Sequence, residues 1–484
     1  LEANARGPRR INLNIKSSPD VKLFKGRLLI EHPVRSLGEL TSCNAFIFSR
    51  LADGAERVNP VSLQAQAART RAPQGSVWLY NTLRLSCPAP MQCAFHVPKP
   101  KRHWRDIEMN PANLPFDSEA MLQGLRGWVE CESPTWDASA VNRMLDIAAR
   151  EMAIMGATIE RIAGRQGFGG VIRARFPHPK QGEPGILIAG HMDTVHPTGT
   201  IEKLKWRREG NKCYGPGIYD MKGGNYLSLE AIRQLARASF TTPLPITVLF
   251  TPDEEVGTPS TRDIIEAEAA RNKYVLVPEP GRADNGVTTG RYAIARFNLE
   301  ATGRPSHAGA TLSAGRSAIR EMARQILAID AMTGEDCTFS VGVVHGGQWV
   351  NCVATTATGE ALSMAKRQAD LDRGVERMLA LSGTTNDVTF KVTRGVTRPV
   401  WEPDAGTMAL YERARGIAKS LGAELPHASA GGGSDGNFTG AMGIPTLDGL
   451  GVRGGNGHTL EEYIEVESLV ERGRLMAGLL ATLE

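Results

Sequence analysis

Five short segments of this chain end an apolar run or a glycine turn in a side chain able to bind a cation. They are Gly190-His191-Met192-Asp193, Ile218-Tyr219-Asp220, Asp253-Glu254-Glu255, Pro278-Glu279 and Gly457-His458. Singly, each has an ordinary explanation. A histidine at a strand end is commonly a satisfied polar group, and an acidic triplet is often a solvated turn. Three consecutive carboxylates at a buried strand end, however, repel one another unless cations or protons neutralise them. Two histidines with several acids and no cysteine form a nitrogen/oxygen set suited to catalytic zinc, and also to manganese or cobalt. They are one histidine short of a three-histidine site. They suit two metals that each take one histidine and one acid and share a bridging carboxylate, an arrangement that activates water. Asp193, two residues beyond His191, is placed to orient or polarise the imidazole. The glycine-rich stretch from Tyr214 to Asn225 lets the backbone approach a neighbour and open a helix. It lacks the Gly-Lys-Ser/Thr ending of a phosphate loop, which sets nucleotide binding aside.

The elements that must position these residues are legible in outline. Asp117 and Asp137 each offer an N-cap, and after the second Val141, Met144, Leu145, Ala148 and Met152 recur at helical spacing. Apolar runs at Ile186–Ala189, Ile246–Phe250 and Tyr274–Val277 alternate with helices expected over Gly223–Ala238 and Pro259–Asn272. Short apolar runs separated by helices predict an α/β fold with a mostly parallel, buried sheet. In such sheets sites form outside the carboxyl ends of the strands, where the candidate ligands fall. From residue 292 to about 398 the pattern changes. Phe297 and Leu299 alternate with polar residues, and Ile319, Met322, Ile326 and Ile329 mark a helix. Strands follow at Thr338–Val344 and Ala354–Ser363, then a helix around Leu371 and Met378 and a strand at Val388–Val392. That order, βαββαβ, predicts a ferredoxin-like α+β domain inserted into the larger one, which resumes over 399–484 after a first part at 109–291.

With these motifs in place, the chain resembles the dinuclear-zinc exopeptidases and amidohydrolases that include glutamate carboxypeptidase, succinyl-diaminopimelate desuccinylase, acetylornithine deacetylase and aminoacylase. The resemblance covers roughly residues 115–484 and is nearest to the glutamate carboxypeptidase branch. It rests on His191-Met192-Asp193, Gly217-Ile218-Tyr219-Asp220-Met221-Lys222-Gly223-Gly224, Asp253-Glu254-Glu255 and Gly457-His458 in the family's order. It implies that Asp220 bridges two divalent ions, most simply zinc, and that the peptide bond after it is cis. One ion would take Glu255 and His458, the other His191 and Glu279. Glu254 would be the general base, with Asp193 as the partner of His191. The inserted domain would serve as a dimerisation domain or lid. Its Gly303-Arg304-Pro305-Ser306-His307-Ala308-Gly309 matches the motif whose histidine, often reaching across the dimer, steadies the tetrahedral oxyanion. Asn351 fits a residue that holds a substrate carboxylate, and Gly432 and Gly433 a loop that admits the acyl group. Where the family's carboxylate-binding arginine is expected, Leu362-Ser363-Met364 stands instead; Lys366, Arg367 and Arg316 are the candidate replacements. The implied reaction is hydrolysis of an amide bond in a small peptide or N-acyl amino acid, with a deacetylase or desuccinylase as the alternative. A non-catalytic, metal-binding dimer is the reading of another class.

Composition narrows the remainder. At 484 residues, with 41% hydrophobic and 22% charged residues, the chain is long enough for more than one globular unit. It has no apolar run near the length of a membrane span. Seven cysteines without a C-x-x-C pair point to a reducing, cytoplasmic setting rather than a disulfide framework. Residues 1–105 carry 17 Lys/Arg against 6 Asp/Glu, which leaves an acidic remainder in a chain of net charge +4. With no basic block, helical stripe or aromatic interleaving, that charge is not the pattern of a nucleic-acid arm. Residues 1–108 read as a basic, poorly ordered extension, with Met109 a natural starting point. His178, His196, His345 and His427 show no partner pattern and read as surface or packing residues.

Overall fold

A computed structural model describes residues 110–484, together with the backbone of six short strands in the leading unit, paired as three antiparallel ribbons. The chain divides into two compact units, Leu1–Asp106 and Ile107–Glu484. The expectations for Met109 and for order in residues 1–108 lie outside the described residues.

In the second unit, Asp117 and Asp137 cap helices α1 (Ser118–Glu130) and α2 (Ala138–Ile154), each side chain accepting backbone N–H bonds of the first turn. A six-stranded sheet follows. Its strands are β1 (Thr158–Ile162), β2 (Val171–Arg175), β3 (Gly185–His191), β4 (Ile246–Thr251) and β5 (Asn272–Leu276), with Thr446–Leu447 at one edge. The spatial order is edge strand, β5, β3, β4, β2, β1. The first four run parallel, while β2 and β1 are antiparallel additions. Burial on both faces explains the uninterrupted apolar runs. Ile186, Ile188, Val248 and Phe250 enter a large core with α1, α2 and α3 (Gly223–Arg237). Leu187, Ala189, Leu249 and Val275 enter a smaller core on the other face with Ile265 of α4 (Arg262–Ala269).

Helix α4 is shorter than the Pro259–Asn272 expected. Ser260 and Thr261 are drawn out of it, because the Ser260 N–H (2.6 Å) and the Thr261 hydroxyl both donate to the buried carboxylate of Asp253. The Asn272 end belongs to β5.

The inserted sheet has β6 (Ala293–Thr302), β7 (Cys337–Gly346), β8 (Thr356–Ala365), β9 (Gly383–Thr385) and β10 (Val388–Arg398), in the order β7, β8, β6, β10, β9 and antiparallel throughout. Helices α5 (Ala318–Asp330) and α6 (Gln368–Leu379) join it by the expected βαββαβ connections, with the short strand β9 added between α6 and β10. Met322 and Ile329 of α5, Leu371 and Met378 of α6, and Phe297 and Leu299 of β6 form its separate core. Ile319, read from the sequence as part of that apolar face, is exposed instead. The chain then returns through α7 (Ala405–Ser420) and α8 (Gly436–Ala441) to α9 (Glu467–Thr482), whose apolar face completes the large core.

Candidate metal centre

The parallel register brings the first candidate ligands together. His191 ends β3 opposite Thr251, the last residue of β4. The next turn of chain therefore sets Asp253-Glu254-Glu255 beside the imidazole, and Glu279 follows β5 on the other flank. Buried Asn225, in the first turn of α3, donates its amide to the His191 carbonyl at 2.7 Å and so ties the helix to the strand end. The Asp220–Met221 peptide bond just before α3 is cis. His458 arrives in the tip between strands Gly454–Gly455 and Tyr463–Glu465, which pair antiparallel. It has a left-handed backbone, φ 64°. Non-glycine residues adopt that conformation uncommonly, and it recurs at functional sites.

Asp220 lies between the two rings. Its Oδ1 is 3.2 Å from Nε2 of His191, and its Oδ2 is 3.2 Å from Nε2 of His458. Glu279 stands 3.8 Å from the first imidazole and Glu255 3.3 Å from the second. Two triads result, His191/Asp220/Glu279 and Asp220/Glu255/His458, with Asp220 common to both. The His191 Nδ1 lies 3.0 Å from the Asp193 carbonyl oxygen and 3.4 Å from its carboxylate, which leaves Nε2 directed at the acids. Asp193 also accepts the Thr135 hydroxyl at 2.8 Å and the backbone N–H groups of Glu254 and Glu255, both at 3.3 Å. One buried carboxylate thus organises the imidazole and the acidic turn together.

The electrostatics fit a cation pair. Burial, reinforced by the Asp220 charge, pushes Glu255 up to about 8 and raises Glu279 well above the usual carboxylate range. Burial also raises Glu254, against the pull of Arg398. Burial opposes the charged form of Asp220 too, but its hydrogen bonds to both histidines prevail and hold it low. Hydrogen bonds to Asp220 and Glu255 lift half-exposed His458 to about 11. For His191 the bonds to Asp193 and Asp220 overcome the opposing effect of burial. Glu255 Oε1 is buried without a hydrogen-bond partner. Such an oxygen, in a nest of carboxylates that accept protons only because nothing else neutralises them, suits a divalent metal. The residues present therefore fit two ions.

Several contributors carry no sequence signature of their own. Arg398, at the end of β10, donates to the Glu254 carboxylate at 2.7 Å and to its backbone oxygen at 2.9 Å, and lies 3.4 Å from Asp435. Arg291 pairs with Asp448 at 2.7 Å and donates to the Gly432 carbonyl at 2.9 Å, holding the glycine loop. A Cβ on Gly433 would meet the Arg398 side chain at 2.7 Å, so the glycine makes room for that guanidinium.

The remaining predicted residues lie elsewhere. His307 and Asn351 are exposed, on neighbouring loops joined by a bridge between His307 and Cys352. The His307 Nδ1 accepts the N–H groups of Gly309 (3.1 Å) and Ala310 (3.0 Å), which leaves Nε2 as the outward donor. This loop follows the far end of ten-residue β6. Arg296, the fourth residue of that strand, donates to the Glu255 carbonyl at 3.0 Å, and Thr302 at its far end lies six residues further on, roughly 20 Å at about 3.4 Å per residue. Of the candidate replacement cations, Arg367 pairs with Asp370 at 2.6 Å and Arg316 with Asp387 at 3.3 Å, both within the inserted domain. Lys366 stands 5.8 Å over the Tyr292 ring.

Comparison with known proteins agrees with this geometry. The chain is 31% identical to carboxypeptidase G2 from Pseudomonas sp. (strain RS-16) over 379 residues, 76% of this chain and 90% of that protein. It is 27% identical to succinyl-diaminopimelate desuccinylase from Azoarcus sp. (strain BH72) over 363 residues, 67% of this chain and 88% of the other. Human carnosine dipeptidase 1 shares the fold with a TM-score of 0.61 at 15% identity, covering 75% of this chain and 96% of that one. The profile described as Peptidase family M20/M25/M40 matches residues 187–482, which include all five candidate ligand positions, and the chain accordingly belongs to this family of hydrolases.

Proposed function

We propose that the protein hydrolyses an amide bond of a C-terminal peptide or N-acyl amino acid, in the manner of a glutamate carboxypeptidase, at a centre holding two divalent ions. The observation that carries this reading is Asp220, with one carboxylate oxygen 3.2 Å from each of two histidines. His191 and Glu279 would hold one ion, Glu255 and His458 the other, with Asp220 between them; zinc is the simplest choice. Bound there, the pair would supply Lewis-acid polarisation of the scissile carbonyl and lower the pKa of a water molecule so that, once deprotonated, it can attack that carbonyl. Glu254 takes the proton from that water and returns it to the departing amine. Arg398 holds one oxygen of this carboxylate, leaving the other to exchange the proton. Asp193 fixes the His191 ring.

The inserted segment 292–398 is read as a dimerisation and lid domain flanked by catalytic parts at 109–291 and 399–484. His307 lies on the loop beyond the end of β6 that is remote from the centre of its own chain. Its free Nε2 would donate to the developing oxyanion of a second subunit's site, beside Asn351. Gly432 and Gly433 would face the acyl group, and the absence of an arginine at Met364 favours a substrate less dependent on a carboxylate clamp there. A cytoplasmic setting is in keeping with the four unpaired cysteines among the described residues. No helix among them is long and apolar enough to cross a membrane.

A panel of N-acyl amino acids, folate-type glutamates, dipeptides and N-succinyl amines, assayed with zinc, manganese or cobalt, tests this reading. Release of a C-terminal amino acid is expected, and exclusive desuccinylation or deacetylation would select the alternative. Glu254→Gln should lower kcat by roughly 10²- to 10⁴-fold while leaving metal content unchanged. Full activity in that variant would remove Glu254 as the base.

A further inference from the structure

Outside the ligand set, one buried carboxylate draws more hydrogen bonds than packing requires. Glu462 is completely buried, four residues after His458. Its Oε1 accepts the backbone N–H of Tyr219 at 2.9 Å and of Asp220 at 3.1 Å. Its Oε2 accepts the N–H of Gly217 at 2.9 Å and stands 2.6 Å from Nε2 of buried His196. The Gly217–Asp220 turn, opened by a left-handed Gly217 with φ 68°, therefore presents three N–H groups to one anion, much as a backbone nest does. Hydrogen bonds to an ionised acceptor are roughly twice as strong as neutral ones, and here both oxygens are fully engaged. His196, which the sequence offered only as a surface or packing residue, supplies the fourth contact.

We propose that Glu462, held by His196, is a positioning residue that locks the turn carrying Asp220 to the loop carrying His458. One segment, His458 to Glu462, then contributes a ligand at its start and, at its end, fixes where the shared ligand stands. The anchored atom is the backbone nitrogen of Asp220 itself, one bond from its Cα. A shift of the turn by a few tenths of an ångström would move both Asp220 oxygens away from their histidines together. Loss of Glu462 should therefore weaken both metal positions, whereas loss of a terminal ligand such as Glu279 should weaken mainly one. This inference rests on the reading of Asp220 as the shared ligand.

The test is cobalt(II) binding to the metal-stripped full-length protein, followed by calorimetry and by the visible absorption spectrum at saturation, with Glu462→Gln, His196→Gln, Glu279→Gln and Asp220→Asn. Glu462→Gln keeps the size but turns an amide donor toward backbone donors. It is expected to lower affinity at both positions by about 10- to 100-fold, the range for outer partners of metal ligands, and to alter the saturated spectrum. His196→Gln should act in the same direction but more weakly. A purely structural role would lower thermal stability yet leave the saturated spectrum unchanged. Wild-type affinity and spectrum in a folded Glu462→Gln protein would overturn the proposal. If that variant does not fold, a wild-type result for His196→Gln overturns it instead. Two tight cobalt ions retained by Asp220→Asn would defeat the underlying reading of Asp220. Loss of pairing in Asp220→Asn with none in Glu462→Gln would defeat the positioning role alone.

Discussion

Residue by residue, the centre is a balance between burial and charge. Glu255 and Glu279 are raised because burial disfavours their ionised forms, and His458 is raised because two carboxylates face it. Without metal, the folded protein holds protons that the unfolded chain would release. Between pH 6.5 and 8, His458, raised to about 11, and Glu255, raised to about 8, both keep protons that their unfolded counterparts lose. The stability of the metal-free protein should therefore fall as pH rises through this window. Metal binding must displace those protons, so its affinity should rise over the same range. The expected outcome is a larger zinc-induced gain in Tm at pH 8 than at pH 6, with proton release seen when calorimetry is repeated in buffers of different ionisation enthalpy. A gain that shrank with rising pH would show that the donors do not act as a proton-competing ligand set.

At the scale of elements, the site depends on how closely α3 approaches the loop after β5. A Cβ on Gly224 would overlap the Pro278 carbonyl oxygen, next to Glu279, the proposed ligand. That neighbour is backbone and cannot swing aside as a side chain would. Gly224→Ala, although it favours a helix intrinsically, must push α3 away from the loop. A loss of about 1–3 kcal/mol in unfolding free energy is expected, together with reduced affinity at the His191/Glu279 position. A variant as stable as wild type with unchanged zinc binding would show that the loop yields freely. The strand ends act similarly: β3 and β4 are in parallel register, so His191 and the acidic triplet emerge at one level of the sheet.

For the whole molecule, the inserted sheet exposes its edge. β7 is an outer strand with Val343 39% and Val344 52% exposed, and α5 beside it exposes Ile319 (46%) and Leu327 (73%). An unpaired apolar strand edge is a liability unless another chain covers it, and a second copy related by two-fold symmetry would do so. If the protein pairs through this edge, the double substitution Val344→Lys, Leu327→Glu should leave a monomer in light scattering without unfolding the second unit, and a wild-type monomer would defeat the reading. If His307 serves the partner's site, mixing Glu254→Gln with His307→Ala subunits should restore part of the activity that each lacks alone. Failure to complement in a proven mixed dimer would confine His307 to its own chain or remove it from the reaction.

Much of this was legible in the linear chain because two kinds of signal are local. The apolar runs of β3, β4 and β5 and the Asp117 and Asp137 caps reflect burial and backbone satisfaction within a few residues. The His191, Asp220, Glu254-Glu255, Glu279 and His458 segments carry unusual groupings of ligating side chains. The shortened α4, the Arg398 grip on Glu254 and the His196–Glu462 contact were not legible. The last two join a polar atom to a partner that only the fold brings near, 144 and 266 positions away, and the first turns on which of several nearby donors the buried Asp253 carboxylate takes. Side-chain type and period state what a residue can bond to. Which of many chemically equivalent partners it meets is decided by chain topology and by the requirement that every buried charge find its complement.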